Sequence, residues 1–209
     1  LTVRELPPFF NHNYKISYSR IETACDLNQI NHPTAREVIR KYGEGRKIEV
    51  SYVGDLPAKS GIGSSSAFTV GLISSINALV QKKVSSESNL AKMAIDIEQN
   101  HIGETIGIQD QCASAFGGFV HINASYNDIQ IKRLLVNPDY QKFIESSLIM
   151  GFNGKQRFSS IASKKIDMAL REDKNSNALE ELHEISQTGI DYFLTVSYTH
   201  LRAHETRYH

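Results

Sequence analysis

Apolar and polar residues alternate from Tyr14 to Thr23, which predicts a strand with Ile16, Tyr18 and Ile21 on its buried side. His32-Pro33 opens a helix predicted over Thr34 to Tyr42, which stops at Gly43-Glu44-Gly45. Lys47 to Val53 reads as a second strand, with Ile48, Val50 and Tyr52 in period two, ended by Asp55-Leu56-Pro57. Ala67, Val70, Ile73, Ile76, Leu79 and Val80 then recur at helical spacing, so a helix is predicted from Ser65 to Gln81. Ser85-Ser86-Glu87 suits the cap of a further helix with Leu90, Met93, Ala94 and Ile97 as its apolar stripe. A third helical piece starts near Ile108 and ends at Gly117-Gly118, followed by a hairpin of strands Phe119–Asn123 and Ile129–Leu135. A short strand over Ser147–Phe152 and two helices, Ser159–Glu172 and Asn177–Tyr192, complete the pattern. Hairpins mixed with helices predict an α+β fold and not a doubly wound parallel sheet.

The chain has 209 residues, a size that buries about 70% of the unfolded surface, so a core forms without covalent staples. Lys and Arg (23) balance Asp and Glu (23), which argues against nucleic acid as a partner, since that affinity rests on cations neutralising phosphates. Phe68–Val80 is the longest apolar-leaning run and falls short of the ~20 residues a bilayer requires, so no membrane partner is expected. Cys25 and Cys112 are too few for a disulfide framework, which points to a reduced, cytoplasmic setting. Leu1 in place of Met, followed closely by Pro7-Pro8, suggests a fragment. Residues 196–209, with three histidines, read as a non-native tail.

Two stretches carry candidate chemistry. Pro57-Ala58-Lys59-Ser60-Gly61-Ile62-Gly63-Ser64-Ser65-Ser66 lies between a strand and a helix. The first turn of a helix presents unpaired N–H groups, and glycines let an oxyanion come close. The serine hydroxyls add donors and a hard-oxygen ligand for Mg2+. The Gly-Lys-Ser/Thr of a Walker loop is missing, and the bland alternative is a Gly/Ser turn that only caps a helix. The second stretch sets Glu98 and Asp110 twelve residues apart across a turn holding Gly103 and Gly107. Such a pair suits a metal ligand plus a group that orients or deprotonates a hydroxyl, or else one surface carboxylate and one helix cap.

Together these stretches resemble the GHMP kinases, whose phosphate loop has the form P-x-x-x-G-(L or I)-G-S-S-(S or A), matched by Pro57 to Ser66. The E-x4-G-x3-G-x2-D-Q spacing from Glu98 to Gln111 is similar to that of the family's sugar-kinase branch. Gly151–Lys164 resembles a FTGxxRxASxIA segment, with Asn153 in place of Thr. The resemblance runs over residues 3–195. It implies a two-domain α+β fold: a ribosomal-protein-like, ATP-binding N-terminal domain over 1–145 and the start of a ferredoxin-like C-terminal domain over 146–195, truncated at both ends. It implies an ATP-dependent kinase acting on the anomeric hydroxyl of a sugar or sugar phosphate, with ATP and Mg2+ as cofactors and a homodimer left open.

Residue by residue, the resemblance puts Pro57, Lys59, Ser60, Gly61, Ile62, Gly63, Ser64, Ser65 and Ser66 around the ATP phosphates. Ser65 and Glu98 become the expected Mg2+ ligands, and Asp110 the catalytic carboxylate, as base or as orienter. Gln109, Gln111 and Arg157 are candidate substrate contacts, Arg157 with Lys155 for a distal phosphate. The family's first motif (a Gly-Gly-Gly-Thr-Asp turn) and its third Gly-rich loop are not found, so the chain by itself is expected to be inactive. Galactokinase-like or fucokinase-like specificity, a non-catalytic nucleotide or sugar regulator, and an RNA-binding module are the alternatives. His101 as a metal partner of Glu98, and Cys112 as a nucleophile, are read instead as a surface residue and a small buried one.

Overall fold

The structure is a computed structural model that describes residues 1–55, 60–81, 84–125, 128–151, 154, 163–164, 166–169 and 176–195. Among these, the chain divides into two compact units, Leu1–Gly117 with Gly154–Ser163, and Gly118–Asn153 with Lys164–His209. That division falls ahead of the boundary expected near residue 145.

The first unit contains a four-stranded sheet in the order β1-β4-β2-β3. Its strands are β1 (Thr2–Glu5), β2 (Tyr14–Ser17), β3 (Ile21–Ala24) and β4 (Ile48–Ser51). β1 and β4 pair antiparallel, β4 and β2 parallel, β2 and β3 antiparallel. The single strand predicted over Tyr14–Thr23 is therefore a hairpin. The Tyr18 N–H donates to the Arg20 carbonyl (2.8 Å) and turns the chain back, which leaves Ile21 exposed instead of buried.

One sheet face sends Ile16, Ile48 and Val50 into the core, as the period of two requires. Helices α1 (Pro33–Tyr42), α2 (Ser64–Gln81) and α3 (Glu87–Asp96) supply its other members, including Val38, Leu72, Ile73, Ile76 and Ala94. On the opposite face, Glu49 takes ion pairs from Arg4 and, at 2.8 Å, from Lys15 on the flanking strands. The Lys15 hydrogen bond, against burial and with Arg4 adding to it, holds its carboxyl below the usual range. After α3 the chain makes a π-helical turn over Ile97–His101, and then α4 (Gln109–Phe116) ends at Gly117.

The second unit holds the hairpin β5 (Val120–Ala124) and β6 (Ile129–Arg133), together with α5 (Pro138–Ser147) and α6 (Ser176–Leu194). Phe193 packs on Phe119 and Tyr140, with ring centroids 4.8 and 5.4 Å away. α5 was not predicted, and its residues 148–151 continuation is not a strand, contrary to the reading of Ser147–Phe152. Asn137 caps α5 by accepting from the Asp139 N–H (2.8 Å), with Pro138 at the first helical position. Residues 163–164 and 166–169 are helical. Among the described residues no helix is long and apolar enough to cross a membrane.

α1 begins on an unusual cap. His32 Nδ1 accepts from the Ala35 N–H (3.3 Å), and its ring lies between Tyr18 and Phe68. Burial pushes the imidazole below its ordinary value, while the nearby Glu22 charge pulls it back up. Glu22 accepts from the Tyr18 hydroxyl and the Asn31 N–H, each at 2.6 Å. Because the folded value is depressed, the unfolded chain binds more protons at His32. Its contribution is thus complete above about pH 6.5 and is lost as pH falls below that. An imidazolium also cannot accept from Ala35 and faces the positive end of the helix. His32→Asn keeps a cap acceptor. The loss of melting temperature between pH 7.5 and 5.5 is expected to be smaller in that variant than in the native chain, measured by circular dichroism; an equal loss would assign the pH dependence elsewhere.

Candidate active site

β4 delivers the chain to the loop that precedes α2. Leu56, Pro57, Ala58 and Lys59 lie outside the described residues, as do Lys155 and Arg157, so the loop is seen from Ser60 onward. Gly61 and Gly63 adopt φ of +84° and +69°, the left-handed region where a side chain is strained. The first α-helical bond of α2 runs from the Ala67 N–H to the Gly63 carbonyl (3.0 Å). The N–H groups of Ser64, Ser65 and Ser66 therefore have no partner within the helix, and they carry the positive end of its dipole. Ile62, Gly61 and Ser65 are exposed, so this end of the helix is open to solvent.

Asp110 meets this loop. It is an exposed residue in the first turn of α4, and a Cβ added at Gly63 would stand 3.0 Å from its Cγ and 3.2 Å from Oδ2. Glycine at position 63 thus serves both the left-handed turn and the close seating of a carboxylate. Gln109, beside it, is exposed as well.

Glu98 arrives from the other side. The π turn that carries it is closed by the Ile102 N–H donating to the Ile97 carbonyl (2.9 Å), a wide turn of the kind found at functional positions. Only 1% of Glu98 is exposed. Its Oε2 accepts from the Ser66 hydroxyl (2.9 Å) and from the Gln111 amide, and its Oε1 accepts from the Thr69 hydroxyl. The serine whose hydroxyl meets Glu98 is Ser66, which lies on the buried face of α2 with Thr69, Val70 and Ile73, while Ser65 is exposed. Gln111, expected as a substrate contact, is fully buried with its amide on Glu98. Glu104 follows in the next loop; burial, and then the charge of Glu98, push its carboxyl up.

Thr69 was missed by the sequence reading. The available signal was a threonine on the α2 face shared by Ser66, Val70 and Ile73, all buried. His101 does not face Glu98. Its Nε2 lies 3.0 Å from Lys41 Nζ and 3.4 Å from Asp96, a surface cluster that ties α1 to the π turn. Cys112 is buried and its thiol is pushed up by burial, which agrees with a packing role. Among the described residues no three His, Cys, Asp or Glu side chains gather into a metal site.

A sheet packed under three helices, with a glycine-turned helix start beside two carboxylates, makes up this α+β unit. Residues 28–118 match the family described as GHMP kinases N terminal domain. The chain is 33% identical over 141 residues to D-glycero-alpha-D-manno-heptose 7-phosphate kinase of Campylobacter jejuni, covering 65% of this chain and 39% of that protein. It is 29% identical over 149 residues to mevalonate kinase of Thermococcus onnurineus, covering 71% and 38%. It thus spans under two fifths of the length of these relatives. The crystal structure of a D-glycero-D-manno-heptose 1-phosphate kinase from Bacteriodes thetaiotaomicron superposes with a TM-score of 0.69 at 22% identity, over 93% of this chain and 60% of that one. That likeness is one of fold, and it supports the mixed α+β, GHMP-kinase architecture.

Proposed function

We propose that this chain is part of an ATP-dependent kinase that phosphorylates the anomeric hydroxyl of a sugar phosphate, D-glycero-D-manno-heptose 7-phosphate being the acceptor class favoured. The observation that carries the reading is the seating of Asp110 against Gly63, which puts a carboxylate at the loop expected to hold the transferred phosphoryl group. Phosphoryl transfer asks a protein mainly for in-line positioning and charge neutralisation. The α2 N–H groups and serine hydroxyls supply donors for the phosphates. Asp110 accepts a hydrogen bond, and then the proton, of the attacking hydroxyl while the bond from Pγ to the bridging oxygen breaks and ADP leaves. An anomeric hydroxyl is more acidic than other sugar hydroxyls, so a modest acceptor suffices.

The donor set also fits Mg2+. The cation takes hard oxygens, usually one or two carboxylates plus the nucleotide's own phosphates, and the site offers Glu98 with the hydroxyls of Ser65 and Ser66. When bound, it would neutralise charge on the β- and γ-phosphates.

The test is incubation of the whole protein that contains this chain with Mg-ATP and, separately, heptose 7-phosphate, L-fucose, D-galactose and mevalonate, followed by phosphorus NMR. A new anomeric phosphate with the heptose phosphate alone is the expected result. Transfer to another acceptor would replace the substrate and leave the kinase standing. Transfer to none, with no nucleotide binding, would overturn the reading.

A further inference from the structure

We propose that Thr69 and Gln111 are positioning residues that clamp Glu98 as a cation ligand; the proposal rests on the reading of this site as a Mg-nucleotide site. An ionised carboxylate offers about four lone-pair positions, two on each oxygen. On Glu98, Ser66 and Gln111 occupy both positions of Oε2, and Thr69 occupies one of Oε1. Among the described residues, one acceptor position is left, on Oε1. The clamp therefore fixes the carboxylate and also selects which oxygen retains capacity for a further partner.

The chemistry of the partners agrees with this. Thr69 and Gln111 are both 0% exposed, so no water competes for their donors. The Gln111 amide presents its Nε2 to Glu98 although its Oε1 then stays buried with no hydrogen-bond partner among the described residues. A flipped amide would set two acceptors face to face, so holding the carboxylate takes precedence over satisfying the amide itself. Three elements meet at one group: α2 through Ser66 and Thr69, the π turn through Glu98, and α4 through Gln111, the neighbour of Asp110. Outer partners of a metal ligand typically change metal affinity by about 10–100-fold when removed.

A role in packing alone would cost thermal stability and nothing else, so the test separates the two. Binding of a fluorescent ATP analogue (mant-ATP) is measured against Mg2+ concentration and again in EDTA, for the chain and for Thr69→Val, Thr69→Ser and Gln111→Met. Thr69→Val removes the hydroxyl at constant shape, and Thr69→Ser restores it. The Mg2+ concentration for half-maximal binding is expected to rise about 10–100-fold in Thr69→Val and Gln111→Met, and to return towards the native value in Thr69→Ser. Binding in EDTA is expected to be the same in all four. A lower melting temperature with an unmoved Mg2+ midpoint would overturn the clamp and leave the kinase reading intact. Native binding that ignores Mg2+ altogether would overturn the assignment of Glu98 beneath it. If Thr69→Val fails to fold, Gln111→Met decides by the same criterion.

Discussion

In the whole protein that contains this chain, Asp110→Asn is expected to lower kcat and kcat/KM together by roughly 10²–10⁴-fold while the binding of ATP stays nearly unchanged. The substitution preserves shape and removes only the negative charge and the proton acceptor, at an exposed position in the first turn of α4. The acceptor matters most when the hydroxyl proton is leaving, so its loss falls on the transition state and not on ground-state binding. Steady-state kinetics with saturating Mg-ATP, beside mant-ATP titration, measure both halves of the statement. Loss of ATP affinity equal to the loss of kcat/KM would show that Asp110 organises the loop and is no acceptor. Near-normal turnover would show that positioning and charge neutralisation are sufficient without it.

The sequence made the two carboxylates and the loop visible because each depends on residue type at a fixed spacing. Gly61, Gly63, Glu98 and Asp110 could be named for that reason. What it did not reveal was the set of partners around Glu98: Ser66 and Thr69 lie on the buried face of α2 shared by Val70 and Ile73, and their hydroxyls, not that of Ser65, meet the carboxylate. Nor did spacing disclose the π turn that carries Glu98 on from the buried face of α3. The β2–β3 hairpin stayed hidden for a different reason: Ser17 to Arg20 contains no Gly, Pro, Asn or Asp, so the alternation ran on through the turn. α5 shows the converse. Asn137-Pro138-Asp139 is a legible helix start, with a capping side chain and proline at the first position.

The contact between Gly63 and Asp110 makes a further outcome calculable. Gly61→Ala and Gly63→Ala both place a side chain at positive φ, +84° and +69°, which costs roughly 1–2 kcal/mol in each case. The surroundings differ. A Cβ at Gly61 meets nothing within 4 Å among the described residues, whereas at Gly63 it stands 3.0 Å from Asp110 Cγ, 3.2 Å from Oδ2 and 3.3 Å from Cβ. The first change is expected to appear as lower stability and weaker ATP binding. The second adds a displacement of Asp110, and a misplacement of about 1 Å at a reacting group can cost about 10²-fold in rate. Gly63→Ala is thus expected to lose about 10²-fold more kcat than Gly61→Ala at similar melting temperatures. The double variant Gly63→Ala with Asp110→Asn locates the cause. If the alanine acts by moving the carboxylate, it should cost far less once that carboxylate is gone, because residues in contact give non-additive effects. Equal losses of kcat in the two single variants, or strict additivity in the double, would mean that the loop and Asp110 work independently, and the seating of one on the other would carry no catalytic meaning.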